Sequence, residues 1–158
     1  MLASLCFLLI ASGFFGEGMK AENFSLKDQF GKVHKVEFPR EKITVLAFAD
    51  REGSSQLESW IRPIYERYSD RIDIYGVAEL SAVPVIMRGV VRSFIRKGTE
   101  YPVMLDWDGK VSMAYGYEKG VANIYVINKE GVVIMKQKGK ANKESLEQIF
   151  LKIDKLLR

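Results

Sequence analysis

Sulfur and imidazole are almost missing from this chain of 158 residues, which holds one cysteine, Cys6, and one histidine, His34. A lone cysteine excludes an intramolecular disulfide and a two-cysteine redox cycle within one chain. One cysteine with one histidine excludes an ordinary zinc site. The body of the chain has no apolar stretch of about 20 residues, so a polytopic membrane protein is excluded. Charge of one sign is also scarce, since 24 Lys and Arg against 20 Asp and Glu leave a formal +4. A nucleic-acid binder would gather a larger excess on one face, and no nucleic-acid partner is expected. The longest basic cluster, Lys136, Lys138 and Lys140, alternates with uncharged residues and reads as a solvated strand edge. Linkers, repeats and biased segments are absent after Glu22. What remains, 47% hydrophobic and 28% charged residues, is ordinary globular composition at the length of one domain.

The N-terminus differs from the rest. Residues 1–16 carry no charged side chain, and the apolar part from Leu2 to Phe15 has the length of a signal-peptide core, short for a spanning helix. No Lys or Arg precedes it, a departure from the usual leader. The sequence therefore divides into residues 1–21, a signal peptide or uncleaved anchor with a cleavage site after Ala21, and residues 22–158, the folded domain. Export to the periplasm or another extracytoplasmic space is expected. Removal of the leader would remove Cys6 and leave no thiol.

From Glu22 onward, strand and helix patterns alternate. Phe24 to Leu26 and Val33 to Phe38 flank the turn Asp28–Lys32 and read as a hairpin. Ile43 to Ala49 is a continuous apolar run, as in a strand buried on both faces. Leu57, Trp60, Ile61, Ile64, Tyr65 and Tyr68 mark one face of a helix, with Ser55 and Glu58 as a capping box. Pro63 should bend or break it. Ile72 to Glu79 is a second central strand. Pro84 opens a helix whose apolar side is Met87, Val90, Val91, Phe94 and Ile95. Val103 to Leu105 is a short strand running into the turn Asp106–Gly109. Asn123 to Asn128 and Val132 to Gln137 form a hairpin, and a last helix, capped by Asn142, follows. Parallel units lead and an antiparallel hairpin closes, which implies an α/β architecture with a central mixed β-sheet flanked by helices and an N-terminal β-hairpin.

Local sequences add a resemblance. Phe24-Ser25-Leu26-Lys27-Asp28-Gln29-Phe30-Gly31-Lys32, Tyr101 to Asp106 with Asp108-Gly109 and Ala114-Tyr115-Gly116, and Ile124 to Gly131 resemble segments of the thioredoxin-like superfamily. The likeness is to its redoxin branch, the alkyl-hydroperoxide-reductase-type peroxiredoxins and exported thiol–disulfide oxidoreductases, with the YtfJ-type exported bacterial proteins the nearest group. It implies a thioredoxin-like fold over residues 22–157. The family places reactive cysteines at the start of the helix after the first central strand, where unpaired N–H groups and the helix dipole lower a thiol's pKa. Here that segment is Asp50-Arg51-Glu52-Gly53-Ser54-Ser55-Gln56. By this alignment Gly53 and Gln56 stand at the cysteine positions, and Ala122 stands where the family has a cis-proline. A cis bond before Ala122 would cost about 3 kcal/mol, so a trans bond and a changed loop are expected.

Without a thiolate no thiol–disulfide exchange is possible, and a serine hydroxyl needs a base to become a nucleophile. No catalytic residue is therefore assigned. Asp50, Arg51, Glu52, Ser54, Ser55 and Asn123 are candidate binding residues, at the strand end where open α/β sheets hold ligands. The other reading of the loop is a plain capped helix start. Arg88, Arg92 and Arg96 recur every fourth residue and share a basic face. It reads either as the solvated side of an amphipathic helix or as a contact for anionic lipid, phosphate or an acidic partner. Asp106 and Asp108 beside Gly109 lack the other ligands of a calcium loop. No metal and no cofactor is expected. The leading expectation is a non-catalytic binding or accessory protein for an unidentified protein or small ligand. Its membrane contact would be limited to the N-terminal segment or the basic helix. The alternative is a redoxin-family thiol–disulfide oxidoreductase or peroxidase-like antioxidant protein.

Overall fold

A computed structural model describes residues 17–158. Cys6 and the apolar run before Glu17 lie outside the described residues. Strands β1 (Phe24–Lys27) and β2 (Val33–Val36) form an antiparallel hairpin. Five strands, β3 (Thr44–Ala49), β4 (Asp73–Glu79), β5 (Val103–Asp106), β6 (Asn123–Ile127) and β7 (Val133–Lys138), make the main sheet in the order β5-β4-β3-β6-β7. β3 pairs parallel with β4 and antiparallel with β6, so the sheet is mixed as the sequence implies.

The apolar run of β3 is explained by two cores. Val45 and Ala47 face a cluster with Trp60, Ile64 and Tyr68 of α1 (Ser54–Tyr68) and Ile149 and Ile153 of α4 (Lys143–Leu156). Leu46 and Phe48 face the other way, onto Val36, Val77, Tyr115 and Tyr125. Alternation along a strand sends neighbours to opposite faces, and both are covered, so from Val45 to Ala49 every position is apolar. Each fully buried large side chain contributes about 1.5–3 kcal/mol.

Several expectations change in the structure. The α1 capping box does not form. Its N-cap is Gly53, with no side-chain cap bond, Ser55 donates to the Glu52 carbonyl, and Glu58 pairs with Arg62 instead. Pro63 sits inside one continuous helix, and Tyr65 is exposed rather than packed. A short helix, α3 (Lys110–Ala114), follows the expected turn. Asp106 belongs to β5, is buried, and accepts from both the N–H and the hydroxyl of Ser112. Lys136 and Lys138 are not merely solvated, since Lys136 donates to the Gly116 carbonyl at 2.8 Å and Lys138 pairs with Glu118. Residues 18–21, placed in the leader by their sequence, pair with the sheet. Gly18 and Ala21 donate to Val133 and Gly131 at 2.7 Å each, and Lys20 bridges Val132. The expected cleavage site after Ala21 falls at the end of this paired segment.

The hairpin is tied to the sheet edge by buried Gln29. Its amide donates to the Tyr101 carbonyl at 2.7 Å and accepts from the Val103 N–H at 2.7 Å, taking the place of a strand. Beside it the Asp28 carboxylate accepts from Phe30 and Lys32 N–H and meets His34 at 2.7 Å. Burial alone would raise the Asp28 pKa, but these bonds outweigh it and hold the group below the usual range. Gln29→Ala leaves the Val103 N–H without its partner at the edge of β5. The expected loss is about 1–3 kcal/mol of stability, read from urea midpoints, with faster exchange of the Val103 amide.

Candidate functional site

β3 ends at Ala49 beside the start of β6, where Phe48 pairs with Asn123. This register brings the loop 50–53 against the loop 117–122, although they are far apart in the chain. Asp50 fastens them. One carboxylate oxygen accepts from Gly53 N–H and the other from Gly120 N–H, each at 2.8 Å, and Asp50 N–H donates to the Tyr117 hydroxyl at 3.1 Å. Gly120 has φ +81°, which favours glycine there.

Gly53 is glycine for a different reason. Its φ of −69° suits any residue, but a Cβ at this position would lie 2.5 Å from the carbonyl carbon and oxygen of Val121 and 3.0 Å from the nitrogen of Ala122. The backbone of the second loop occupies the side-chain space. Gln56, one turn on, accepts from the Ala122 N–H at 3.0 Å through its side-chain oxygen. Residues 53, 56 and 122 thus meet at one point. The peptide before Ala122 is trans; among the described residues the cis bond is at Phe38–Pro39.

The electrostatics favour a fixed carboxylate over a base. Burial would raise the Asp50 pKa, but the Gly53 and Gly120 N–H groups and the Tyr117 hydroxyl lower it further, and the net shift is downward. The Tyr117 hydroxyl is pushed up, first by burial and then by Asp50, so it stays protonated. Ser54 and Ser55 donate to the carbonyls of Arg51 and Glu52 at 2.8 and 3.3 Å. Those bonds leave neither serine aimed at a base. Asn123 is buried, accepting from Glu118 N–H and donating to the Glu118 and Val121 carbonyls, so all its polar atoms hold the loop. Arg51 and Glu52 are exposed at the mouth. Among the described residues no group of three or more His, Cys, Asp or Glu is gathered as a metal would require. The loop 117–121 was not singled out from the sequence. Its Gly120 is a turn signal that could have pointed to it.

The basic residues Arg88, Arg92 and Arg96 lie elsewhere. In α2 (Arg88–Gly98) the half-buried Arg88 donates to the Trp107 carbonyl at 3.2 Å and Arg92 to the Gln29 carbonyl at 3.0 Å, and both Arg92 and Arg96 are exposed. Arg88 and Arg92 border a shallow cavity of about 330 Å³ with Ser25, Lys27 and Trp107.

A hairpin beside a mixed sheet, with a helix springing from the central strand at the loop that faces residue 122, defines the thioredoxin-like fold. Solved structures agree. A candidate protein disulfide isomerase from Bacteroides thetaiotaomicron matches with a TM-score of 0.70 at 19% identity over 91% of each chain. The pneumococcal exposed lipoprotein thioredoxin Etrx1 from Streptococcus pneumoniae matches with 0.66 at 21% identity over 83% of this chain and 99% of its own. Peroxidoxin BcpB from Mycobacterium tuberculosis matches with 0.63 at 16% identity over 91% and 99%. No family model and no curated protein matches the sequence. The chain is a thioredoxin-like α/β protein similar in fold to redoxins and thiol–disulfide oxidoreductases.

Two substitutions test the site. Gly53→Ala forces the Val121 backbone to move and is expected to destabilise by about 1–3 kcal/mol, seen as a lower thermal midpoint. Asp50→Asn removes a charged acceptor shared by two N–H groups and should cost about 1–3 kcal/mol at pH 7. Because the folded pKa lies below the ordinary 3.8, the stabilisation is complete above about pH 4. It is lost as pH falls through the folded value. Chemical denaturation from pH 7 to 3 should show wild type and variant converging only at the acid end.

Proposed function

We propose that the chain is an exported thioredoxin-like domain that has given up redox catalysis and acts by binding, as an accessory protein for a protein segment or small ligand. The observation that carries this reading is the packing at Gly53. Where the resemblance places a reactive cysteine, the Val121 backbone fills the space of a side chain. Where it places the second, the Gln56 amide is already bonded to Ala122. The Gly53 N–H, at the helix start, is already bonded to the Asp50 carboxylate. Asp50, Arg51, Glu52, Ser54 and Ser55 are the proposed binding surface, with Asn123 holding its second loop in place. Export is supported by the apolar N-terminal sequence and by the likeness to an exposed lipoprotein thioredoxin. Among the described residues no helix is long and apolar enough to cross a membrane.

A second reading is favoured by what the neighbours are called. A redoxin-type oxidoreductase or peroxidase-like protein would need a thiol, and Cys6 is the one in the chain. Insulin-reduction and peroxide-consumption assays on the full chain and on Cys6→Ser separate the two. The binding reading expects no turnover from either protein. Activity lost in Cys6→Ser would establish the oxidoreductase, and activity retained there would overturn both readings.

A further inference from the structure

Helix α2 is amphipathic, and part of its apolar side stands in solvent. Its arginines 88 and 92 reach toward the protein, Arg88 lying over the Trp107 ring at 5.4 Å and Arg92 bonded to the Gln29 carbonyl. Val91 and Ile95 are half-buried, but other apolar residues of the helix and of the turn before it face solvent. Ile86, Val90 and Phe94, each four positions apart, are 88%, 61% and 77% exposed, and Val85 beside them is 75% exposed. The helix has no buried residue at all. An isoleucine that is 88% exposed touches almost nothing of its own fold, so the ridge stands clear of the body. A contiguous apolar surface of this kind marks a contact site.

Charge says what it contacts. Lys97 continues the Ile86–Val90–Phe94 stripe at helical spacing, and Arg96 lies next to it; both are exposed. No acidic residue occurs between Ser81 and Thr99. Whatever covers the ridge must accept apolar side chains along its length and cations at one end. A second copy laid ridge to ridge would bring Lys97 and Arg96 against apolar side chains with no carboxylate on the helix to meet them. A bilayer surface supplies both environments, acyl chains beneath and phosphates at the rim, and long cationic side chains reach back to the phosphates.

We propose that this ridge docks the protein onto an anionic lipid surface. Ile86, Val90 and Phe94 enter the acyl boundary while Arg96 and Lys97 contact the headgroup phosphates. The inference does not depend on the Asp50 site. In the full chain, Phe94→Trp places a reporter on the ridge, and Leu151→Trp places one at a 71% exposed position of α4. Both are read against vesicles of phosphatidylcholine with and without phosphatidylglycerol, after subtracting wild-type emission.

The expected result is a blue shift for Phe94→Trp on phosphatidylglycerol vesicles, weakened by salt and lost when Arg96→Gln and Lys97→Gln are added, with no shift for Leu151→Trp. The Leu151→Trp control removes any general attachment through the apolar N-terminus. No shift at position 94, or equal shifts at both positions, would overturn the proposal. So would emission from position 94 that is already blue without lipid and unchanged by it, which means the chain covers its own ridge. A lipid-free shift that grows with protein concentration, together with a sedimenting dimer, would assign the ridge to a second copy instead.

Discussion

The Asp50 carboxylate joins the two halves of the site. It accepts the Gly53 and Gly120 N–H groups, and so holds the start of α1 against the loop that leads into β6. Everything else at this end of the sheet follows from that contact. It accepts the N–H of Gly53, the residue at which the helix starts, and it holds Gly53 where the Val121 backbone leaves no room for a side chain. Gln56 adds a second tie, to Ala122. In a redox protein the same helix start would be kept open for a sulfur atom. Here internal hydrogen bonds close it, and the carboxylate's lowered pKa keeps it charged, an acceptor rather than a base.

The two faces of the sheet are treated differently. One is covered by α1 and α4 in the ordinary way. The other is covered by the β1–β2 hairpin, pinned through Gln29 and Asp28, and by Tyr115. Because the hairpin does the covering, α2 is free of that duty. Arg88 and Arg92 tie it to the Trp107 and Gln29 carbonyls, and Val90 and Phe94 are left in solvent. The same arrangement relieves the helix of the need to pack and makes it available for an outside surface.

Much of this architecture was legible before any coordinates. β3 could be read as a strand buried on both faces because all six of its residues are buried, and the α4 cap fell on Asn142 as its sequence suggests, with Ser145 closing the box. Gly53, Gln56 and Ala122 were aligned from resemblance and meet in space. The local signals failed where a distant group competed. Ser55 and Glu58 carry a proper capping-box spacing, but Asp50 takes the helix start and Arg62 takes Glu58. Asn123 reads as a surface-binding residue but is buried in its own loop. His34 has no evident partner in the sequence until the hairpin turn brings Asp28 to it.

What the sequence determined by itself is the order of strands and helices, the double-sided burial of the central strands and the scarcity of sulfur. These follow from composition and from periods of two and 3.6 residues, which are local properties of the chain. What only the tertiary structure decided is contact between distant residues and the direction a stripe faces. Gly53 could be known as a position with no room only once Val121, far along the chain, lay across it. Periodicity established that α2 has an apolar side and a basic side. Which residues of each side meet water was decided by the tertiary contacts, because a helical stripe fixes relative angles around its own axis and carries no information about where the rest of the protein stands.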